Sequence, residues 1–304
     1  MRYVLRRLLL VPVPLLLVVG FVFAVLRLTG DPVAIYLGLD ATPEQEELLR
    51  AELHLDDPIP LQFAWFLADL LQGDFGTSIQ FKTAAMQVVA ERLEATLLLL
   101  GLGLSLAVGL GVLAGVACAV WKDRLPDFVI SILAVAGQSM PSFWLGILLI
   151  QLFALDLGWL PTSGRGGWQH LVLPTVTLAT FLVPNFILVT RISVLETMRE
   201  QFVVTARARG AGAGRALWLH VLPNAINPVV SLVGLQLGRL MGGAVVTETI
   251  FAWPGVGRLM VSAIFQRDVP IVVASVFIVA VTIVLANLLV DLVQAAIDPR
   301  IRAR

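Results

Sequence analysis

The chain has 304 residues, of which 58% are hydrophobic and 14% are charged, and its mean hydropathy is +0.91. Soluble domains are far less apolar, so the composition excludes an ordinary soluble domain and predicts an integral membrane protein. Basic and acidic residues are balanced at 21 each, so nucleic acid is not an expected partner, and one cysteine with three widely spaced histidines predicts neither a disulfide nor a metal site.

Six apolar stretches are long enough to cross the hydrocarbon core of a bilayer, which takes about 20 helical residues. In chain order they are residues 8–28, 95–120, 128–155, 171–190, 226–247 and 270–293. The first follows Arg2, Arg6 and Arg7 as a signal peptide would, but it is long and lacks a small-x-small cleavage site. We therefore expect an all-α integral membrane protein with six transmembrane helices, the first of them uncleaved.

The distribution of Lys and Arg between the loops predicts the orientation, because cytoplasmic loops carry an excess of these residues. With a cytoplasmic N-terminus, thirteen of the 21 basic residues fall on the cytoplasmic side. Both termini are then cytoplasmic, and so is the long basic segment 191–225 between helices four and five.

Three regions follow from this topology. Residues 1–28 form the N-terminal tail and first helix, residues 29–94 an acidic external segment, and residues 95–304 a five-helix core that includes loop 191–225. In the external segment, Thr42, Pro43 and Gln45 have the spacing of a capping box at a helix start, and a second, amphipathic helix is expected near residues 61–71. This segment either caps the bundle or offers a surface to a soluble partner.

Small residues recur at helical spacing in spans two and five. Gly111 and Gly115 form one GxxxG pattern, and Gly234, Gly238 and Gly242 form two more in succession. Helices in lipid gain packing energy from close backbone approach, so these glycines predict tight helix crossings. Such crossings belong either inside one bundle or between two chains.

Two spans contain proline beside polar residues. Pro141 follows Gln138 and Ser139 in span three, and Pro184 precedes Asn185 in span four. Proline removes a backbone hydrogen bond and kinks a helix, and its polar neighbours are expected to face the bundle rather than lipid. Gln138, Ser139 and Asn185 are therefore candidate residues of a polar translocation path.

Arg239 lies near the middle of span five. A charge at this depth costs about 2.5–3.5 kcal/mol on insertion scales, so it should meet water, a carboxylate or a cavity. Either Arg239 snorkels or pairs within the protein, with Glu248 or Asp291 as candidate partners, or it lines a solute path and meets an anionic group.

The segment EQFVVTARARGAGAGRALWLHVLPNAINP covers residues 200–228. Its Ala and Arg content favours helix, three glycines from Gly210 to Gly214 interrupt it, and Leu222-Pro223 is expected to end it. The pattern predicts a helix, a glycine elbow and a second helix. A basic loop lying on anionic lipid would explain the arginines but not a hinge.

This segment resembles the cytoplasmic coupling loop of binding-protein-dependent ABC importer permeases, in which a glycine stands thirteen residues before the proline of a Leu-Pro pair. Gly210 and Leu222-Pro223 have that spacing, and TARARG resembles the version found in peptide permeases. The chain departs from the general pattern at residues 203–205, where Val-Val-Thr replaces Glu-Ala-Ala, and at His220, where isoleucine is usual. Both departures are typical of the peptide and nickel branch.

Other stretches extend the resemblance along the chain. They are RYVLRRLL, LTGDP, LLQGDFGTS, DLGWLPTSG, LPTVTL, ETIFAWPGVGRL and AAIDPRIR. Together they resemble the first of the two permease subunits of dipeptide, oligopeptide or glutathione importers.

The resemblance implies that a short loop helix sits in a groove on a cytoplasmic ATPase and moves when the ATPase dimer closes on ATP. The residues implied in this coupling are Glu200, Thr205, Ala206, Arg207, Ala208, Arg209, Gly210, Leu222 and Pro223. Leu217, Trp218 and Leu222 are expected to anchor the helix against the bundle.

The resemblance also implies the location and the partners. These are the bacterial cytoplasmic (inner) membrane, a homologous second permease, two ABC ATPase subunits and an extracytoplasmic solute-binding protein. The only lysines, Lys82 and Lys122, lie outside any P-loop pattern. We therefore expect a non-enzymatic subunit without a cofactor of its own, with ATP and Mg used by the partner ATPases.

Two other classes of protein compete with this interpretation. A self-contained secondary transporter or channel would need ionisable groups inside the membrane, and only Asp291 and Asp156 are near candidates. An intramembrane enzyme would need a catalytic pair, and no paired carboxylates, Ser-His or HExxH arrangement is evident. The exact cargo is left open among small peptides, glutathione and nickel chelates.

Overall fold

The computed structural model describes residues 12–28, 33, 42–52 and 54–297. The basic residues of both termini, from which the orientation was predicted in part, lie outside the described residues, as does most of LTGDP. The helices, in chain order, are α1 Pro12–Leu28, α2 Pro43–Glu52, α3 Ile59–Gln72, α4 Ala85–Val120, α5 Leu125–Ser139, α6 Ser142–Leu149, α7 Gln169–Thr197, α8 Gln201–Ala208, α9 Ala213–Ala216, α10 Leu222–Ala225, α11 Asn227–Ile250, α12 Val256–Phe265 and α13 Val269–Ile297. A π-helical segment, Ile150–Asp156, continues α6, and another, Leu217–Val221, joins α9 to α10.

Four helices are long and apolar enough to cross a membrane, namely α4, α7, α11 and Val269–Gln294 of α13. A fifth span is formed if α5 and the helix Ser142–Asp156 count as one. The apolar part of α1, Pro12–Val25, is shorter than these spans. The all-helical membrane architecture is thus confirmed for the described part of the chain, with four or five of the six predicted spans.

The predicted third span is not one kinked helix, because its two halves meet at an angle of 103°. The break lies at Met140 and Pro141, and Met140 is extended with φ −82° and ψ 128°. The ring of a proline disfavours a helical conformation of the residue before it, which allows α5 to end here but does not require it. By contrast, α7 continues through Pro174 and Pro184.

One end of the bundle carries the basic loop. Arg191, near the end of α7, forms an ion pair with Asp127 in the first turn of α5. Two residues further on, the Ser193 hydroxyl donates a hydrogen bond to the Ala225 carbonyl of α10 at 2.9 Å. The start of α5, the end of α7 and the loop helices therefore lie together at what we call the loop end.

We call the other end of the bundle the opposite end. There the loop before α7 contacts the first part of α4 and the residue that follows α11. Arg165 donates to Glu94 at 2.7 Å, and the Gly164 amide donates to the Phe251 carbonyl at 2.8 Å. On α4, Glu94 lies about 37 Å from Ala119 at 1.5 Å per residue, and Ala119 packs at the loop end. The bent α5–α6 pair therefore runs from one end of the bundle to the other.

Helices α4 and α7 run in the same direction with their backbones in close contact. Gly103 faces Leu178, Gly111 faces Phe186 and Gly115 faces Thr190, always 75 residues apart. A methyl group added at Gly115 would lie 2.6 Å from the Thr190 Cβ, and one at Gly111 would overlap the Phe186 Cβ. The tight crossing predicted for span two is confirmed inside the chain.

The glycines of α11 are used differently. A methyl group at Gly234 would lie 3.1 Å from Val290 of α13, whereas no atom lies within 4 Å of the corresponding position at Gly238 or Gly242. Both of these glycines are exposed. Only the first part of the predicted stripe is therefore covered by the described chain itself.

Both helices predicted for residues 29–94 are present. The capping box at the start of α2 is confirmed, because Thr42 and Gln45 exchange hydrogen bonds of 3.1 and 3.4 Å. In α3, Phe63 packs against Phe23 of α1 with ring centroids 5.3 Å apart. The hairpin after α3 is held to the turn before α13 by Ser78, which donates to Asp268.

We expect Gly111→Ala to destabilise the protein, because overpacking a well-filled contact costs about 1–3 kcal/mol. Gly109→Ala is the matched control, since Gly109 is exposed on the same helix and no atom lies within 4 Å of the added methyl group. Alanine is the better helix former by about 1 kcal/mol, so the control should be neutral or more stable. Thermal unfolding of the purified protein in detergent measures both, and equal midpoints would contradict the tight contact.

Candidate functional site

The first loop helix, α8, ends in a turn that requires glycine. The Ala211 amide donates to the Ala206 carbonyl at 3.1 Å and the Gly210 amide to the Arg207 carbonyl at 2.9 Å. These two bonds define a Schellman motif, whose capping residue has a left-handed backbone. Gly210 has φ +93°, which costs an L-residue with a side chain about 1–2 kcal/mol. The predicted glycine elbow is confirmed, and Gly210 is the residue that turns the chain.

The second loop helix does not end at Leu222-Pro223, as the sequence predicted. Helical backbone runs from Ala213 to Ala225, with the π-helical segment Leu217–Val221 directly before the proline. The Leu222 amide donates to the Leu217 carbonyl, five residues back, and this wide turn makes room for the proline ring. Pro223 then occupies the start of a helical turn, where a missing N–H is tolerated.

A small apolar core holds the loop helices against the bundle. Val203 of α8, Val221 and Ala225 are buried together with Ala119 of α4 and Val194 of α7. Leu217 and Leu222 pack on this core as expected. Trp218 does not, because its position on the helix points it away from the core, and it is 63% exposed. Val203 replaces it as an anchor.

The outer face of the loop carries apolar and basic side chains. Phe202, Val204, Trp218 and Leu219 are large exposed hydrophobic residues. The predicted coupling residues Arg207, Ala208, Arg209 and Gly210 are also exposed, as are Glu200, Thr205 and Pro223, whereas Ala206 and Leu222 are half-buried. Exposed large apolar residues beside arginines are typical of a protein interface. We call this face the coupling surface.

The four predicted translocation-path residues lie on three helices. Gln138 and Ser139 are exposed at the end of α5, directly before the break, and the Ser139 hydroxyl donates to the Val135 carbonyl. Asn185 is half-buried on α7, and Arg239 is exposed on α11. No hydrogen bond between any two of these four residues occurs in the part of the chain that the structure describes.

The predicted alternative in which Glu248 pairs with Arg239 is wrong. Glu248 is fully buried and accepts hydrogen bonds from the Thr96 hydroxyl at 2.7 Å and from the Arg258 amide at 3.0 Å. Glu248 lies more than two helical turns from Arg239 towards the opposite end, which explains the separation. Among the described residues, no ion pair involves Arg239.

Glu248 belongs to a polar cluster at the opposite end that residue patterns alone did not identify. Thr96 also accepts from the Val256 amide at 2.8 Å, and the Trp253 indole donates to the Ala95 carbonyl at 2.9 Å. A methyl group at Gly255 would overlap the Glu248 carboxylate. The stretch ETIFAWPGVGRL thus encodes a satisfied carboxylate and the glycine that makes room for it.

The Asp127–Arg191 ion pair at the loop end was also not anticipated. Arg191 donates from Nε to Oδ1 of Asp127 at 2.9 Å and from Nη2 to Oδ2 at 2.8 Å. The Asp123 amide adds a third hydrogen bond to Oδ2 at 3.0 Å. The partners are 64 residues apart in the chain, so no local pattern could have joined them.

The protein family of this helical bundle is established by two family models that match the chain. A family described as "Binding-protein-dependent transport system inner membrane component" matches residues 108–303, and its N-terminal companion model matches residues 1–99. The chain belongs to this family. It is a permease subunit of a binding-protein-dependent ABC importer, and this membership implies that ATP hydrolysis takes place in partner subunits.

Curated relatives match over almost the full length. The chain is 42% identical to the glutathione transport system permease protein GsiC of Salmonella typhimurium (strain LT2) and 40% identical to that of Escherichia coli (strain K12). Each alignment covers 303 residues, or 99% of both chains. The chain is therefore similar to these permeases along its whole length.

Solved structures share the fold at low sequence identity. Two inward-facing crystal forms of the MetNI methionine ABC transporter match with TM-scores of 0.57 and 0.59 at 17% and 18% identity. Each match covers 70% of this chain and 97% of the other. The likeness supports the helical architecture of the permease core.

We expect Gly210→Ala to loosen the turn between the loop helices, because alanine resists the left-handed backbone although there is space for its methyl group. A cost of about 1–2 kcal/mol corresponds to amide exchange roughly 5–30-fold faster at positions 210 and 211. Gly212→Ala is the control, since Gly212 has φ −61° and open space. Hydrogen exchange followed by mass spectrometry compares the two, and equal protection would contradict the role of Gly210.

Proposed function

We propose that this chain is the first of two permease subunits of an ABC importer for small peptides such as dipeptides, oligopeptides or glutathione. The observation that carries this proposal is the similarity over 99% of both chains to permeases named for glutathione transport. In the proposed complex the chain spans the bacterial inner membrane six times, with both termini and the loop end in the cytoplasm. It works with a homologous second permease, two ATPases that use ATP and Mg, and an extracytoplasmic solute-binding protein.

The assembly and the cargo are tested together. Affinity purification of the chain from its native membranes, with mass spectrometry, should recover a second permease and P-loop ATPases. The complex reconstituted in vesicles with its binding protein should then import labelled glutathione or a dipeptide when ATP is supplied. A chain that purifies alone would contradict the proposal, and import of neither peptide class would contradict the cargo.

We propose that the coupling surface is the docking site for one ATPase subunit. Its exposed Trp218 and Leu219 lie beside a basic stretch that contains Arg207 and Arg209. The core under the loop ties this surface to α4 and α7, so a displacement of the loop helices acts on the bundle. The Gly210 turn sets the angle between α8 and the second loop helix.

We expect the double change Arg207→Glu with Arg209→Glu to reduce the amount of ATPase that co-purifies, because four units of charge change at the proposed interface. Complementary charges across an interface raise the association rate, and like charges placed opposite each other cost several kcal/mol of binding free energy. Arg267→Glu is the control, because this exposed arginine lies in the turn before α13, at the opposite end. Unchanged ATPase recovery in the double variant would contradict docking through this surface.

We propose that Gln138, Ser139, Asn185 and Arg239 contribute to the translocation path. No described residue pairs with the Arg239 guanidinium, and this supports the assignment, because a charge inside a span needs water or an anionic partner. Peptides carry a carboxylate that matches this requirement. The open positions beside Arg239, at Gly238 and Gly242, leave room for a solute or for a helix of the second permease.

We expect Arg239→Ala to reduce peptide import by roughly tenfold or more, since a hydrogen bond to a charged group contributes about 1.5–3 kcal/mol. Arg239→Lys keeps the charge and should retain a larger part of the import. Uptake into vesicles that contain equal amounts of complex measures both variants. Import by Arg239→Ala at the wild-type rate would contradict a role for this charge in the path.

A further inference from the structure

The Asp127–Arg191 ion pair is closely built. Two parallel N–H···O bonds join the guanidinium to the carboxylate, and the Asp127 side chain is only 7% exposed. A charge removed from water in this way needs its partner, and loss of one partner leaves the other buried without compensation. The pair therefore holds the first turn of α5 firmly to the end of α7.

The same short stretch of α7 also holds the loop. Ser193 donates to the Ala225 carbonyl, and Val194 is buried against Val203 and Val221 of the loop helices. Arg191 lies less than one helical turn before Ser193 and Val194 on the same helix. The end of α7 thus contacts the coupling loop on one side and α5 on the other.

Helix α5 packs against α4 and α7, and the ion pair is its charged attachment. Asp127 is its only charged residue, and Phe128, Ile132 and Leu133 are exposed on its surface. From Asp127 the helix runs without interruption to the break at Met140, where the backbone changes direction by 103°. A displacement of its first turn would be carried along the rigid helix and absorbed at the break.

We propose that the Asp127–Arg191 pair is the positioning link that carries movement of the coupling loop through α7 and α5 to the broken third span. This inference rests on the proposed function, because it assigns the pair a task within the ATP-driven cycle. Gln138 and Ser139, at the end of α5, are the residues that this link would move.

The link is tested by the coupling ratio of the reconstituted complex, which is the ATP hydrolysed per solute imported. In Asp127→Asn the ATPase still docks on the intact loop, so hydrolysis should continue while import falls, and the ratio should rise roughly tenfold. The double reversal Asp127→Arg with Arg191→Asp restores a pair and should return the ratio towards the wild-type value.

The matched control is Lys122→Gln. Lys122 forms an exposed pair with Asp123 at 3.7 Å, in the turn just before α5. Exposed ion pairs contribute little to stability, so this variant should keep the wild-type coupling ratio. A wild-type ratio in Asp127→Asn, or a parallel fall of hydrolysis and import in proportion to lost protein, would overturn the link and assign the pair a purely structural role.

If the single variants do not assemble, distance measurements in the otherwise native complex test whether α5 and α7 move together. Paired spin labels in the otherwise native complex are placed at the exposed residues Ile132 of α5, Leu188 of α7 and Ile147 of α6. On ATP binding the Ile132–Leu188 distance should stay constant, while the Ile132–Ile147 distance across the break should change by about 2 Å or more. Independent movement of α5 and α7, or no change across the break, would overturn the proposal.

The reconstituted wild-type complex separates the proposed function from the link. A wild-type complex that lacks ATPases or imports no peptide would contradict the proposed function. A wild-type complex that imports peptide, together with Asp127→Asn at an unchanged coupling ratio, would contradict the link alone.

Discussion

The arrangement of this bundle depends on the contact between the backbones of α4 and α7. Gly111 and Gly115 bring the two helices close enough for Phe186 and Thr190 to lie directly on the facing backbone. Helices in lipid gain little from the hydrophobic effect, so such close contact contributes much of their association energy. The contact repeats at a constant offset, which makes the two helices parallel. The chain between them must therefore return across the bundle, and the bent α5–α6 pair does so.

Each end of this parallel pair is held by a buried carboxylate with its own partners. At the loop end, Asp127 is paired with Arg191, and at the opposite end Glu248 accepts bonds from Thr96 and a backbone amide. Buried charges are tolerated only when their hydrogen bonds are satisfied, so both clusters restrict how the helices meet. Arg239 is the contrast, because no described residue pairs with it and the glycines beside it are open. Among the described residues, an unpaired arginine inside a span is expected for one subunit of a larger assembly.

The local structure of the chain was predictable from the sequence where backbone preferences within a few residues decide it. The glycine elbow at Gly210 and the capping box at Thr42 follow from which residues tolerate a left-handed backbone or accept a helix-terminal N–H, and both were confirmed. The coupling roles of the arginines stay predictions. Trp218 was wrongly placed as an anchor, because an apolar residue on a short helix is buried only if its own side of the helix meets the bundle.

The membrane class, the positions of the long apolar helices and the turn at Gly210 follow from the residues alone, since they depend on hydropathy and on backbone sterics within a few residues. The packing of the helices determines that Pro141 breaks its span whereas Pro223 is accommodated by a π-helical turn. It alone brought Asp127 to Arg191 and separated Glu248 from Arg239. These outcomes depend on atoms that are distant in the chain, and the geometry that brings such atoms together exists only once the helices have packed.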